Sequence, residues 1–584
     1  MKKKSTTLLL NSLLVTTALM CVSCSRNSSP LPIAFEEPTL HSETTNVEAE
    51  KTGRILYLMQ IGETARSIEE YNKYRKEGHF HNLELVQQMG MVILERGYHS
   101  YSPEVQLMTV FGAGVVGNPR ILHILDAASD SDDPQVQLTA LGYLANLHDD
   151  AADAMLARGM TSPYLLIRLE TAYYLATMKY PSAVGQIESL MQKAPPEIHG
   201  IFPQLFAIIG DSQSLAIMRQ MLSSGNRAVR INTILSAANY NRDDLLPQIR
   251  SLATHLDVAQ QEACAAAFGK LKDESSIPKL NKLTQSSSTD VQLAAWQALY
   301  RLGKQDAKVN IETLARQGNL FAIAMLGEIP GYEDTLASLI RSEDLQIKVN
   351  ATVALLQRHD PRCLEGLDTI LVYDSRGLGF KPLLSAGSGL MAWKAIPSAE
   401  EKFSESDSAY GITLAIRESM LQQTRDLPER AFLEVASLIF STNQFDLVPS
   451  VVNLLENLQS TNALDLLKDY EQKSRSPLIR NYCNLALFRL HEEGPYEDNL
   501  RAWVAKEQGS ELIRFLPNIP RSTLNQASPH ELTPEETSRL LIDSFQAIAN
   551  SQNEQGINAI LEAIANGNPT NKYALAGLLI RAAE

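Results

Sequence analysis

A repeat of 31 residues constrains the fold of this chain more than any other feature of its sequence. Counted in both directions from Val136, an apolar residue returns every 31 positions, and a polar residue follows it directly. The positions that define this first slot of the repeat are Val105, Val136, Ile167, Ile198, Val229, Gln260 and Val291, of which only Gln260 is polar. A spacing that is held over seven units without an insertion indicates one small structural unit copied along the chain.

Within each unit, the apolar positions follow the spacing of an α-helix. After Val136 they recur at Leu144 and Leu147, with the small residue Ala140 between them, and these positions share one helical face. A second apolar stripe begins 20 positions after the first slot, as at Leu156, and turn residues such as Asp149 separate the two stripes. Each unit is therefore predicted to be two amphipathic helices. Neither helix can bury its stripe alone, so successive units must stack.

The unit resembles the HEAT repeat in its short form of 31 residues, which is often labelled PBS-lyase-like. The resemblance rests on the pattern V-[RQ]-x-x-[AT]-x-x-x-[LF] after an apolar helix and a turn, and it covers about Ser102 to Leu320. Two weaker units follow, and a further stretch that matches the pattern begins at Ile479, near the C-terminal end of the chain. The resemblance implies an all-α fold of the right-handed α-α superhelix type, a HEAT-like α-solenoid. It also implies that the helix beginning at the first slot lines the concave face.

The second slot, one residue after the first, supplies the candidate partner-binding residues. Most units carry Gln there, but Arg168, His199 and Arg230 occupy it in three successive units. One interpretation is a basic stretch on the concave surface that orients an acidic segment of a partner. The other follows from the resemblance, because in HEAT repeats an Arg at this slot often pairs with an acidic turn of the neighbouring unit. Both interpretations stay open at the level of the sequence.

The first 24 residues are typical of an export signal. Three lysines precede an apolar stretch from about Leu8 to Met20 that is too short to be a confident membrane span. The segment CVSC resembles the lipobox of bacterial lipoproteins, which implies cleavage before Cys24 and a lipid anchor on Cys24. An ordinary secreted protein that is cut nearby is the alternative. In lipoproteins of enteric bacteria, an aspartate after the lipidated cysteine is the usual signal for retention in the inner membrane. This chain has a serine after Cys24, so the resemblance implies the outer membrane, with the protein facing the periplasm.

Composition divides the rest of the chain into segments. Residues rich in Ser, Pro, Thr and Glu after Cys24 cannot bury enough apolar surface to form a core, which predicts a disordered tether. The expected segments are a signal peptide at 1–23, the lipid-anchored tether at 24–52, an N-terminal helical cap at 53–100, the HEAT-repeat array at 101–365, an irregular Gly/Pro/Ser-rich insertion at 366–405 and a C-terminal helical, repeat-like region at 406–584.

The sequence contains little that indicates catalysis. It has no HExxH or GK[ST] motif, and the residues around Ser388 lack the glycines of GxSxG. Outside the export signal and Cys24 it has three cysteines, Cys264, Cys363 and Cys483, whose spacing suggests neither a disulfide framework nor a zinc site. We therefore expect no enzyme activity, no metal, no cofactor and no small-molecule substrate.

These features favour a lipid-anchored scaffold that binds a protein partner in the bacterial periplasm or cell envelope. Two alternatives remain. A lyase-type enzyme is one, because the phycobilin lyases share this repeat form. Nucleic-acid binding is the other, and a formal net charge of -15 opposes it because an acidic protein repels phosphate backbones.

Overall fold

The computed structural model describes residues 44–78, 80–147, 149–372, 407–514 and 530–584. Within these residues there are 30 α-helices, several short 3-10 turns and no strand. Cys24, the predicted signal peptide and most of the predicted insertion lie outside the described residues. The prediction of an all-α solenoid is confirmed for the part of the chain that the structure describes.

The helices are numbered here in chain order. The first sixteen are Thr44–Ile61 (α1), Thr64–Gly78 (α2), Leu83–Tyr98 (α3), Pro103–Val116 (α4), Leu122–Ser129 (α5), Pro134–Leu144 (α6), Asp150–Arg158 (α7), Leu165–Thr177 (α8), Ala183–Lys193 (α9), Phe202–Ile209 (α10), Ser212–Leu222 (α11), Arg227–Asn239 (α12), Leu246–Leu252 (α13), Val258–Lys270 (α14), Ile277–Leu283 (α15) and Thr289–Arg301 (α16). The others are Ala307–Arg316 (α17), Leu320–Leu326 (α18), Glu333–Ile340 (α19), Leu345–Gln357 (α20), Leu364–Leu371 (α21), Asp407–Thr424 (α22), Glu429–Ser441 (α23), Val448–Leu458 (α24), Thr461–Lys473 (α25), Pro477–Arg489 (α26), Tyr496–Glu507 (α27), Pro534–Asn550 (α28), Glu554–Asn566 (α29) and Asn571–Ala582 (α30).

The chain forms two compact units, and the boundary between them does not follow the order of the sequence. The first unit contains the residues up to Ile167 together with the described residues from Leu467 onward. The second unit contains Arg168–Leu466. The first and last described helices, α1 and α30, therefore belong to the same compact unit.

The repeat positions form the cores as the periodicity predicts. Val136, Leu144, Leu175 and Phe268 are all buried, and they come from the first-slot stripe of their units. The predicted turn residue Asp149 caps α7 by accepting hydrogen bonds from two backbone N–H groups, which would otherwise lack partners. In the second unit, α10, α12, α14 and α16 each pack against the next.

One residue with a positive φ recurs twelve positions after the first slot. In the second unit these residues are Lys179, Gly210, Asn241, Lys272 and Gly303, with φ between 53° and 87°. After each of these residues except Gly210, the following N–H returns to a carbonyl in the last turn of the helix, as from Asp273 to Phe268 at 2.9 Å, which ends the helix in a Schellman motif. His359, Asn443 and His491 have the same conformation. This turn therefore continues beyond the units whose period is visible in the sequence.

The first helix begins inside the segment that the sequence assigned to the tether. Residues 44–52 belong to α1, which packs against α2. The Tyr74 hydroxyl donates to the Glu48 carboxylate at 2.9 Å, and Lys51 pairs with Glu77 at 2.6 Å. Residues 44–52 are therefore helical, and the prediction that the disordered tether extends to residue 52 is wrong for these residues. Packing against α2 stabilises a segment whose composition alone does not predict a helix.

In the first unit, the last helix packs against helices from the N-terminal part of the chain. α30 contacts both α3 and α4. The backbones approach so closely that a Cβ on Gly577 would overlap the carbonyl oxygen of Gly112, and one on Gly112 would overlap the carbonyl oxygen of Tyr573. Gln87 adds a hydrogen bond to the carbonyl of Ala583 at 2.9 Å. Glycine is required at this crossing because no side chain fits between the helices.

Candidate partner-binding surface

The polar residues of the second slot bind the turn that precedes their own helix. Gln106, Gln261 and Gln292 each donate to the carbonyl oxygen six positions earlier, at 2.8, 2.8 and 2.6 Å. Gln137 donates to a turn carbonyl at 2.6 Å, accepts from the Ser162 hydroxyl at 2.9 Å and is only 6% exposed. The slot is polar because turn carbonyls need donors, and this role is structural.

Two of the three predicted binding residues make the same kind of contact. Arg230 Nη1 donates to the carbonyls of Ser224 and Gly225 at 2.7 and 3.2 Å, and its Nε donates to the Gln260 side chain of the next unit at 3.0 Å. His199 Nε2 lies 2.9 Å from the carbonyl of Ala194. These contacts favour a structural role, although the partners are carbonyls and an amide where the resemblance implied turn acids.

Arg168 completes the predicted set. It lies on α8, is half-buried and also interacts within the chain. All three residues belong to the second unit. Their role in partner binding stays a prediction.

Charged pairs between successive repeats exist, but other arginines make them. Arg227 binds the Asp257 carboxylate through two hydrogen bonds of 2.6 and 2.9 Å, and Arg250 binds Asp273 in the same way at 2.8 and 2.7 Å. Burial raises the pKa of Asp273, but hydrogen bonds from Arg250 and two serines outweigh it and lower that pKa to about 2. Sequence reasoning missed these arginines because neither position is Arg in most other units.

On three first-slot helices of the second unit, α8, α10 and α12, another side is partly open to solvent, whereas the same positions of α14 and α16 are mostly buried. Helical spacing places the positions three, six and ten after the first slot on one side. We call this side the exposed row, and its most exposed members are Tyr173, Thr177, Ile201, Gln204 and Asn239. Tyr173 and Ile201 are large apolar residues that are 39% and 37% exposed. Such residues at neighbouring repeats form a surface that a partner could cover.

Hydrogen bonds between neighbouring helices fix the polar members of the exposed row. Gln204 donates to the Tyr240 hydroxyl at 3.3 Å, and Lys270 donates to Asn239 at 2.7 Å. Burial lowers the pKa of Lys270, and the nearby Arg301 lowers it further. At the other end of the row, burial raises the pKa of Glu170, although a hydrogen bond with Tyr174 opposes this effect. The row therefore has Lys270 at one end and Glu170 at the other, with apolar residues between.

The described residues offer little for metal or thiol chemistry. No group of three or more His, Cys, Asp or Glu among them could hold a metal ion. Cys264, Cys363 and Cys483 are buried, and burial raises the pKa of each thiol, that of Cys363 to about 12. A protonated, buried thiol is a poor nucleophile. None of the described helices is both long and apolar enough to span a bilayer.

Comparison with known proteins identifies the repeat. Residues 215–300 match the family described as HEAT repeats, which confirms the predicted repeat type in this part of the array. No curated protein matches the chain.

Three solved structures align with the chain at low similarity. The complex of CpcE and CpcF of phycocyanin lyase from Nostoc sp. PCC7120 is 18% identical, with a TM-score of 0.28, over 35% of this chain and 87% of that chain. A crystal structure of importin beta is 12% identical, with a TM-score of 0.32, over 90% of this chain and 82% of that chain. Kap121p is 10% identical, with a TM-score of 0.31, over 91% and 79% of the two chains. TM-scores this low do not establish a shared fold.

Proposed function

We propose that this protein is a non-catalytic HEAT-repeat scaffold that binds a protein partner in the bacterial cell envelope. The exposed row of the second unit carries the proposal. Tyr173 and Ile201 expose apolar surface on helices whose other sides are buried in the array. Tyr is enriched at protein interfaces because it buries a large apolar area and keeps a polar tip. Stacked repeats supply the rigid support that such a surface needs.

The proposed partner has apolar side chains that cover Tyr173 and Ile201. An acidic residue of that partner would lie toward Lys270, whose pKa is lowered by burial and by the nearby Arg301. Charge of this kind sets the orientation of a bound segment more than its affinity.

A lyase-type enzyme and a nucleic-acid-binding protein are less well supported. A lyase needs an acid or a nucleophile at the groove, and the described thiols are buried. Burial alone raises the pKa of Glu170, and its hydrogen bond with Tyr174 gives this carboxyl a partner within the chain. A formal net charge of -15 opposes binding to a phosphate backbone.

Anchoring through Cys24 is the part of the proposal that sequence supports most directly. We expect Cys24→Ser to leave the chain unprocessed or soluble, because the serine cannot accept the thioether-linked lipid. Detergent phase partitioning and mass spectrometry of the mature N-terminus measure this. Ser29→Ala, which lies outside the CVSC segment, is the control, and it should leave the lipid in place. A Cys24→Ser protein that has lost its signal peptide and still partitions with detergent would refute the anchor.

Partner binding is tested by capture from cross-linked envelopes with the full-length protein as bait. We expect Tyr173→Ala with Ile201→Ala to reduce capture at least about tenfold, since each truncated anchor residue typically costs more than 1 kcal/mol of binding. The melting temperature should fall less than for truncation of the fully buried Leu175, because Tyr173 and Ile201 are 39% and 37% exposed.

Two control variants separate this surface from the alternatives. Leu256→Ala with Val309→Ala truncates two apolar residues that are also exposed in the second unit, and it should leave capture intact. Arg168→Glu with Arg230→Glu should lower the melting temperature, because Arg230 binds turn carbonyls. If the variant with Arg168→Glu and Arg230→Glu lost capture but kept its melting temperature, the binding site would instead be assigned to Arg168, His199 and Arg230. Equal loss in the Leu256 and Val309 control would mean that no specific surface is involved.

A further inference from the structure

His81 lies at a contact between the two ends of the chain, within the first unit. It is 9% exposed and stands between α2 and α3. Its Nδ1 is 2.8 Å from the Tyr71 hydroxyl, and its Nε2 is 2.9 Å from Nη1 of Arg75. The ring also stacks on Tyr71, with the centroids 5.9 Å apart. Both nitrogens of a buried imidazole are therefore engaged.

Arg75 continues this cluster to a helix from the far end of the sequence. Its Nη1 donates to the side-chain oxygen of Asn558 on α29 at 2.6 Å. The carbonyl of Glu554, also on α29, lies 3.3 Å from His81 Nε2. Helices α2 and α29 pack against each other around these side chains. We call His81, Tyr71, Arg75 and Asn558 the terminal latch.

The contact with Arg75 determines the protonation state of His81. A guanidinium group has donors only, and its contact with Nε2 is shorter than that of the Glu554 carbonyl, 2.9 against 3.3 Å; we therefore assign the lone pair of the neutral ring to Nε2 and its proton to Nδ1, which faces Tyr71. A proton added to Nε2 would place an N–H and a positive charge against the Arg75 cation. The hydrogen bond between these two side chains cannot survive that change.

The surroundings of His81 resist protonation. Burial lowers the pKa of His81, and the Arg75 charge lowers it further, while Glu554 and Asn558 act in the opposite direction without reversing the shift. Burial raises the pKa of Tyr71 far above the physiological range, so that hydroxyl stays neutral. The neighbouring Tyr74 hydroxyl donates to Glu48 of α1. Arg75 is thus the charged side chain that makes the closest contact with the ring.

We propose that the terminal latch is a pH-sensitive switch, in which neutral His81 holds α1 and α2 against α29 and protonated His81 releases them. Because the pKa of His81 is lowered in the closed state, the stabilisation is complete above the ordinary histidine pKa of about 6.5 and is lost as the pH falls through the lowered value. Acidification then detaches α1 and α2 from α29, while α3 and α4 stay packed against α30. This inference does not depend on the proposed function.

Hydrogen exchange of the full-length protein tests the switch. Between pH 7.5 and 5.0, after correction for intrinsic exchange rates, we expect opening of α1 and α2 to increase by up to about tenfold per pH unit in the window between the two pKa values. His81→Gln keeps an acceptor for Arg75 and cannot be protonated, so opening should become independent of pH. His99→Gln changes an exposed histidine of the same unit and should behave as wild type.

Titration of the wild-type protein provides a second test that does not depend on whether the His81→Gln variant folds. The His81 ring, followed by NMR, should titrate below pH 6.5, together with the opening of α1 and α2. Arg75→Gln should move that titration to higher pH by removing the adjacent charge. A His81 that titrates at or above 6.5, an opening that does not change with pH, or a His81→Gln protein with the wild-type response would each overturn the proposal.

Discussion

Gly577→Ala is expected to destabilise the first unit by about 1–3 kcal/mol, although alanine usually stabilises a helix relative to glycine. The Cβ would overlap the carbonyl oxygen of Gly112, which is backbone and cannot rotate away. α30 must therefore move off α3 and α4. Chemical denaturation measures the loss, and hydrogen exchange should show it as faster opening of α3, α4 and α30.

Gly53 provides a matched control for this substitution. It lies in the middle of α1, in the same unit, and nothing stands within 4 Å of the position that a Cβ would occupy. Gly53→Ala should stabilise the protein by about 0.5–1 kcal/mol, because alanine loses less backbone entropy in a helix. If Gly577→Ala were as harmless as Gly53→Ala, the packing of α30 described here would be wrong.

Leu175→Ala is expected to lower the free energy of unfolding by about 2–5 kcal/mol. Leu175 is fully buried in the second unit and belongs to the stripe that starts at Ile167. Removing its side chain loses apolar burial and leaves a cavity that the surrounding helices fill only in part. Urea denaturation, followed by far-ultraviolet circular dichroism, measures the change.

Val309→Ala is the control for burial, since it also shortens an aliphatic side chain in the second unit. Val309 is 56% exposed, so its truncation should change the stability by no more than about 0.5 kcal/mol. Similar losses for Leu175→Ala and Val309→Ala would mean that the repeat does not bury the predicted face.

The polar second slot was visible in the sequence, but its role was not. Gln137 and Arg230 look like surface residues because they are polar and recur beside a buried slot. Their acceptors are backbone carbonyls of the preceding turn, and carbonyls are present at every position of a sequence. Only the path of the turn decides which carbonyls lack a partner. Tyr173 and Ile201 were overlooked for a related reason, because apolar residues are expected to be buried.

The sequence by itself determined the helix pairs, their turns and the residues of their cores. A repeat unit packs mainly against its neighbours along the chain, so the residues that make these contacts recur every 31 positions. Val136, Ile167 and Val229, which are all buried in the first slot, are examples. The tertiary structure alone decided that α2, α3 and α4 pack against α29 and α30. Gly112 and Gly577, or Arg75 and Asn558, are hundreds of residues apart and belong to no period. Each such contact occurs once and depends on the backbone path of all the intervening helices, and no local propensity or spacing encodes that path.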